Sequence, residues 1–343
     1  MDIVILLLIS LLIYLLPQNK EYLNVKTTSG LRGFLALGII FHHLSQWVTT
    51  GTEFSNFSYM GTYIVSIFFF LSAYGLYIQN ENKNNYLDSF LIRRLSKILF
   101  PFFAIPSIYL IYRVLDGQLL DLTFFVNLFV KGRTIIYNGW FVNVIIFLYL
   151  CFYLSFKFFN NKVLSIVLNT IFIFCFICLA IKLGYGFWWY NSTLAFIIGL
   201  IWAKNQEKID KILEKHYFVV LILITVLLFV SHQYNNLLNY LNLKDSYSYA
   251  IAANVDNLIF TVYFIVLFMK KLNFSNKYLV FVGKISFELY MIHGLVMSIL
   301  GKIFVSSSLN DVLFTILVLM ISLAFAWLIH KAISKISLKL SSV

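Results

Sequence analysis

The chain has 343 residues, of which 61% are hydrophobic and 12% are charged, against roughly 25% charged residues in an ordinary soluble domain. This composition excludes an ordinary soluble globule. The 26 basic residues outnumber the 14 acidic ones and give a net charge of +12. A nucleic-acid partner is not expected, because such binders carry a clustered basic surface on a folded domain. Cys151, Cys175 and Cys178 all lie inside apolar runs, so we expect neither a disulfide framework nor a metal site.

Apolar runs bounded by polar loops follow one another along the chain. A helix rises about 1.5 Å per residue, so about 20 residues cross a hydrocarbon core of about 30 Å. The sequence predicts an all-α, polytopic transmembrane helix bundle with ten core helices and an extra N-terminal helix. A porin-like barrel is excluded, since its strands would alternate polar and apolar residues. The runs are 3–16, 33–48, 61–78, 98–112, 140–156, 163–181, 187–203, 217–231, 251–269, 285–301 and 312–330.

The runs are expected to form a single membrane domain over residues 1–343, because no internal repeat or long linker interrupts them. Residues 1–26 hold the extra helix and its loop, and residues 27–330 form the core. The run 3–16 reaches only about 21 Å as a helix, so it has to tilt or thin the bilayer to span. Asp2 replaces the positive charge that a signal peptide would carry, which argues against cleavage.

The basic residues alternate between loops, which predicts the orientation. Lys and Arg are retained in cytoplasmic loops. Twenty of the 26 fall in one set, the basic loops, and six in the other, the alternate loops. The N-terminus is therefore predicted outside and the C-terminus in the cytoplasm of a multi-pass cell-membrane protein. The basic loops are 17–32, 79–97, 157–162, 204–216, 270–284 and 331–343; the alternate loops are 49–60, 113–139, 182–186, 232–250 and 302–311.

Ionisable side chains inside predicted spans are functional candidates, because burying them in lipid is costly. Arg32 begins the second run and His43 lies eleven residues on, about 20° away around the helix and about 16 Å deeper. Both therefore share one face. Asp256 is interpreted as a helix-start residue, and His232 as a solvated loop residue.

The tenth run carries Ser286, Tyr290 and His293 at spacings of four and three, on one helix face. His293 lies at nearly the depth of His43, so the two imidazoles are expected to form one buried polar site. The alternative is that a histidine or tyrosine here only bridges helices by hydrogen bonds. For His293 the two interpretations are evenly balanced.

Several segments in order resemble the acyltransferase 3 family of integral membrane acyltransferases, over roughly residues 27–300. Segment 29–43 is similar to the opening motif of the family, in which an arginine is followed after ten residues by a histidine; here these are Arg32 and His43. In the cytoplasmic basic motif, Lys97 stands where the family has arginine, which keeps the charge but loses the planar fork that grips phosphate. Ala73 replaces the usual glycine of a third motif. The other segments are 65–75, 90–101, 140–141, 196–199 and 283–293.

The resemblance implies O-acyl transfer, most often of acetyl from acetyl-CoA, to a hydroxyl of a cell-surface, capsular or extracellular polysaccharide or its lipid-linked precursor. His43 would be the general base or a transient acyl carrier, with Arg32 beside the donor. Arg93, Arg94 and Lys97 would contact the phosphates of acyl-CoA, although basic residues occur in any cytoplasmic loop. Acyl-CoA is expected as a substrate, with no bound cofactor; the other partners are the carbohydrate acceptor and the bilayer.

The resemblance also implies supporting residues that would orient the base or the acceptor, namely Ser286, Tyr290 and His293. Two other classes of protein remain open. A polysaccharide flippase or polymerase would be expected to show paired halves or a large outer loop. A proton-coupled transporter that uses the buried histidines would move its substrate without acyl-CoA.

Overall fold

The computed structural model describes residues 11–47, 54–130, 134–244, 246–304 and 311–341. Regular secondary structure in these ranges is entirely helical, which confirms the all-α prediction. The α-helices are α1 (Val25–Trp47), α2 (Gly61–Asn82), α3 (Phe90–Leu115), α4 (Leu122–Val130), α5 (Trp140–Phe158), α6 (Lys162–Lys182), α7 (Leu194–Tyr240), α8 (Tyr247–Phe264), α9 (Lys277–Lys284), α10 (Ser286–Phe304) and α11 (Asp311–Ser341).

Each of the ten predicted core runs overlaps one of these helices. Six helices of the described part are long and apolar enough to cross a membrane, or seven if the bent pair Lys277–Lys284 and Ser286–Ile303 counts as one span. One of the six is the 54-residue stretch Phe187–Tyr240, which contains two predicted runs. Of the N-terminal run 3–16, residues 3–10 lie outside the described residues, and residues 11–14 are helical. The helices indicate a multi-pass membrane protein.

Helix α7 turns back on itself. At the start of α7, the backbone N–H of Leu194 donates to the Asn254 side chain at 3.1 Å, and 37 residues later the Ser231 hydroxyl donates to Asp256 at 2.6 Å. A straight helix would separate Leu194 from Ser231 by about 55 Å. Because Asn254 and Asp256 are two residues apart on α8, the two arms of α7 must be antiparallel.

The reversal occurs where the sequence predicts the basic loop 204–216. Asn205 and His216 have non-helical backbone angles, and the residues between them form a short helical connection rather than an irregular loop. Two other predicted loops also contain short helices, α4 in 113–139 and α9 in 270–284. Helix α4 is mostly apolar, but its nine residues are too few to cross a bilayer, so the length of the apolar run did not indicate it.

Contacts between loops join members of the same set, so the bundle has two ends. The basic end is formed by the basic loops; the opposite end is called the cavity end, because an open cavity lies there. At the basic end the Tyr22 hydroxyl donates to Asp210 at 2.8 Å, and the nearly buried Lys270 ammonium lies 2.6 Å from the same carboxylate. Burial raises the pKa of the Tyr22 hydroxyl, which therefore keeps its proton for this bond. Other basic-end pairs are Tyr74 with Gln206, Arg94 with Tyr86, Lys157 with Asp88 and Lys162 with Glu81.

Glycines let α1 pack against α9 backbone to backbone. A Cβ at Gly33 would lie 2.1 Å from the Leu279 carbonyl oxygen, and one at Gly283 would lie 1.8 Å from the Ser29 carbonyl oxygen. Close approach of this kind is the usual role of small residues between membrane helices. Arg32 is one residue before Gly33, about 100° around the helix, so the packing of Gly33 directs Arg32 away from α9.

Candidate active site

An open cavity of about 900 Å³ occupies the cavity end of the bundle. Residues of α1, α2, α7, α8 and α10 line it, together with the turn before α5 and the turn 187–189. Pockets of this size are typical of sites for small molecules. His43 and Tyr290, both predicted as site residues, are among the lining residues.

His43 lies in a cluster of three imidazoles. Its side chain is only 6% exposed, and its ring centroid is 5.1 Å from that of His293 and 4.9 Å from that of His42. The sequence predicts that His43 and His293 lie at similar depths in the membrane, and in the structure their rings are in contact between α1 and α10. His42 is held separately, because its Nδ1 lies 2.9 Å from the Phe57 carbonyl oxygen.

His293 is fully buried and keeps one nitrogen unpaired. Its Nδ1 lies 3.1 Å from the Leu289 carbonyl oxygen, which can only accept, so in the neutral ring Nδ1 carries the proton. Nε2 then has a free lone pair and no hydrogen-bond partner among the described residues. This lone pair beside His43 can accept a hydrogen bond or, transiently, a proton.

Asn138, which the sequence analysis missed, connects the cluster to α10. Its amide nitrogen lies 3.1 Å from His43 Nδ1, and its backbone carbonyl accepts a hydrogen bond from the Tyr290 hydroxyl. The residue has a φ of 59°, a left-handed conformation that asparagine tolerates better than most residues. If the amide nitrogen donates to Nδ1, the neutral His43 ring carries its proton on Nε2; if the amide is turned so that its oxygen accepts from Nδ1–H, Nε2 is free to take up a proton. The only local signal was its position before Gly139, where a turn is common.

Arg32 lies at the basic end, exposed, with Tyr149 and Arg94 as its electrostatic neighbours. The Arg94 guanidinium donates two hydrogen bonds to the Tyr86 hydroxyl, at 3.0 and 2.9 Å. Within the part of the chain that the structure describes, neither arginine forms an ion pair with a carboxylate. Both charges therefore remain available to an anionic ligand.

The other predicted site residues have different placements. The Ser286 hydroxyl donates to the Gly283 carbonyl at 2.9 Å, a local bond at the start of α10 and about 10 Å along the helix from His293. Ser286 is therefore not brought into the His43 cluster. The side chains of Arg93 and Lys97 lie outside the described part. Within that part, no group of three His, Cys, Asp or Glu residues could hold a metal ion.

The interpretation of Asp256 as a helix-start residue is wrong. Helix α8 begins at Tyr247 with Ser246 as its cap, so Asp256 is well inside the helix and is 2% exposed. Its carboxylate accepts hydrogen bonds from the hydroxyls of Tyr63 and Ser231, each at 2.6 Å. Because these partners come from α2 and α7, no local sequence pattern could have identified them.

Comparison with known proteins identifies one family. A family model described as an acyltransferase domain matches residues 20–331, which is most of the chain. No curated protein and no solved structure shows a significant match.

Proposed function

This chain belongs to the acyltransferase 3 family, and we propose that it is an O-acyltransferase that moves an acyl group, acetyl in the first instance, from acyl-CoA to a carbohydrate hydroxyl. The observation that carries this proposal is the position of His43. His43 lines an open cavity at one end of the bundle. Arg32 lies on the same face of α1, about 16 Å away, at the other end.

The basic end is the proposed donor side. Acyl-CoA is polyanionic and cytoplasmic, and guanidinium groups bind phosphate through charge-assisted hydrogen bonds. Arg32 and Arg94 carry charges that no described carboxylate neutralises. We assign Arg93 and Lys97 to the same donor contact from the family motif. The cavity end then faces outward and receives the acceptor, a cell-surface or extracellular glycan or its lipid-linked precursor.

The chemistry requires a base near the acceptor hydroxyl. The hydroxyl oxygen attacks the thioester carbonyl carbon while Nε2 of His43, which is unprotonated when Asn138 presents its amide oxygen to Nδ1–H, takes the hydroxyl proton. The C–S bond breaks, an ester forms, and the CoA thiolate leaves and takes up a proton. Asn138 holds the His43 ring, and Tyr290 fixes Asn138 through its carbonyl. His293, with its unpaired Nε2, can hold the proton in transit.

A direct test replaces His43 by alanine in cells that express the chain with its own glycan. The proposal predicts that base-labile acyl groups on the cell-surface glycan are lost, whereas the matched change His216→Ala, at an exposed position of the basic end, leaves them unchanged. Undiminished acylation with His43→Ala would refute the role of His43. A labelled acyl group on His43 in the absence of acceptor would instead identify transfer through an acyl-histidine.

A second test addresses donor binding. Arg93→Ala combined with Arg94→Ala should weaken acetyl-CoA binding to the purified protein about tenfold or more, since each lost charged hydrogen bond is worth roughly 1.5–3 kcal/mol. Lys208→Ala removes one exposed charge at the same end and should have little effect. Unchanged affinity in the double variant would remove these two residues from the donor site.

A further inference from the structure

A second polar cluster lies on another wall of the cavity, where α2, α7 and α8 meet. At its centre is the buried carboxylate of Asp256, with the hydroxyls of Tyr63 and Ser231 bound to it. His232 is adjacent: its Nδ1 lies 3.1 Å from the Tyr63 hydroxyl oxygen and 3.6 Å from the Asp256 carboxylate. Half of the His232 side chain is exposed, and the residue lines the cavity.

This arrangement fixes the proton of His232. The single hydrogen of the Tyr63 hydroxyl is donated to Asp256, so toward His232 that oxygen can only accept. Nδ1 of the neutral ring must therefore carry its hydrogen, and Nε2 is left with a lone pair. In the neutral ring Nε2 is thus a hydrogen-bond acceptor of fixed direction. The hydrogen bond and charge of Asp256 favour the protonated ring, in which Nε2 is a donor in the same direction.

Helix α7 continues from His232 as a polar stripe. Asn235, Asn236 and Asn239 follow at three, four and seven residues, on one helix face, and all three line the cavity. Each amide offers both a donor and an acceptor and carries no charge. Trp188 lines the same cavity. Amides of this kind suit hydroxyl groups, and an aromatic ring can cover the apolar face of a sugar ring.

Deeper in the same wall, two asparagines have carbonyl oxygens without a partner among the described residues. Asn191 and Asn257 line the cavity and are each 4% exposed. The amide nitrogen of Asn257 donates to the Asn191 and Ala253 carbonyls at 3.1 and 2.8 Å, which fixes the orientation of the amide. Its unpaired Oδ1 requires a hydrogen-bond donor, which a hydroxyl-rich ligand would supply.

We propose that this wall, formed by His232, Asn235, Asn236, Asn239 and Trp188, is a binding subsite for the acceptor and takes an uncharged, hydroxyl-rich segment of it. His232 is a positioning residue that forms a hydrogen bond through Nε2 with an acceptor hydroxyl, and Asp256 acts through it. The inference rests on the proposed function, because His43 on α1 is the reacting group. The stripe consists of amides and carries no charge, which favours an uncharged segment against it; Lys244, which also lines the cavity, lies over the Phe187 ring, 5.9 Å from its centroid.

The test uses membranes that contain the chain and its native glycan, supplied with radiolabelled acetyl-CoA. Asn235→Leu combined with Asn239→Leu should lower the initial rate of label transfer about tenfold or more, since each removes a hydrogen-bonding group from the site. Asn235→Gln with Asn239→Gln, which keeps the amides, should restore much of the rate. Gln233→Leu is the matched control, because Gln233 is on the same turn but does not line the cavity.

Two further measurements separate binding from folding. The affinity of the purified variants for acetyl-CoA should equal that of the wild type, and so should their midpoint of thermal unfolding. His232→Phe should lose transfer in the same way while Lys208→Ala does not. Wild-type transfer by the Leu variants would overturn the subsite and leave the proposed function standing. Failure of the wild type to transfer any label would overturn both.

Discussion

The hydrogen bond between Asn138 and His43 gives the sharpest test of the proposed site. The informative variant is Asn138→Gly, because alanine at a φ of 59° would add about 1–2 kcal/mol of backbone strain, whereas glycine adopts this conformation freely. The variant removes only the amide that lies 3.1 Å from His43 Nδ1. Loss of a partner from a buried polar group costs about 1–3 kcal/mol.

If that energy is used to orient the ring in the transition state, turnover should fall by roughly 5- to 150-fold. The measurement is the initial rate of transfer to the native glycan in membranes, as a function of acetyl-CoA concentration. We expect a lower kcat with an unchanged KM for acetyl-CoA, because Asn138 is far from the basic end. Asn85→Gly is the matched control, since Asn85 is also left-handed, with a φ of 53°, but lies in a basic loop. Wild-type kcat in Asn138→Gly would refute the orienting role.

Three further predictions concern the basic end and helix packing. Gly283→Leu should lower the midpoint of thermal unfolding by roughly 5 °C or more, because its side chain would clash with the α1 backbone. Gly75→Ala should not lower it, since no atom lies within 4 Å of the new Cβ. Equal effects of the two variants would contradict the close packing of α1 and α9. Asp210→Ala should destabilise the protein more than Lys270→Met does. The first variant leaves the buried Lys270 ammonium unpaired, which costs about 3–5 kcal/mol, whereas the second leaves a carboxylate that is 25% exposed and can be hydrated. The reverse order of stability would contradict the ion-pair assignment. Arg32→Gln should raise the KM for acetyl-CoA about tenfold or more, and an unchanged KM would exclude donor contact.

The helices and their alternation between two ends could be predicted from the sequence, because in a membrane the apolar runs and the basic loops carry that information directly. The depth and phase of His43 and His293 could be worked out in the same way, since helix geometry alone fixes both. Helix α7 contains a feature that the sequence pattern did not predict. Its two arms were predicted as separate runs, but the helical connection between Asn205 and His216 depends on packing at the basic end.

The residues that complete the site were not predictable, because they meet across helices distant in sequence. Asn138 reaches His43 from the turn before α5, 95 residues away, and Asp256 meets Tyr63 from 193 residues away. Asp256 could only be judged from its position in an apolar run, which suggested a helix start. The spacing of Asn235, Asn236 and Asn239 on α7 was visible in the sequence. Its meaning depended on knowing that this face lines a cavity.

The central claim is that acyl-CoA enters at the end that holds Arg32 and the acyl group leaves at the end that holds His43. Sealed membrane vesicles of either orientation, supplied with radiolabelled acetyl-CoA that cannot cross the bilayer, test this directly. Inside-out vesicles should label the native glycan, right-side-out vesicles should not, and His43→Ala should abolish labelling in the former. Equal labelling in both orientations, or labelling only in right-side-out vesicles, would contradict it.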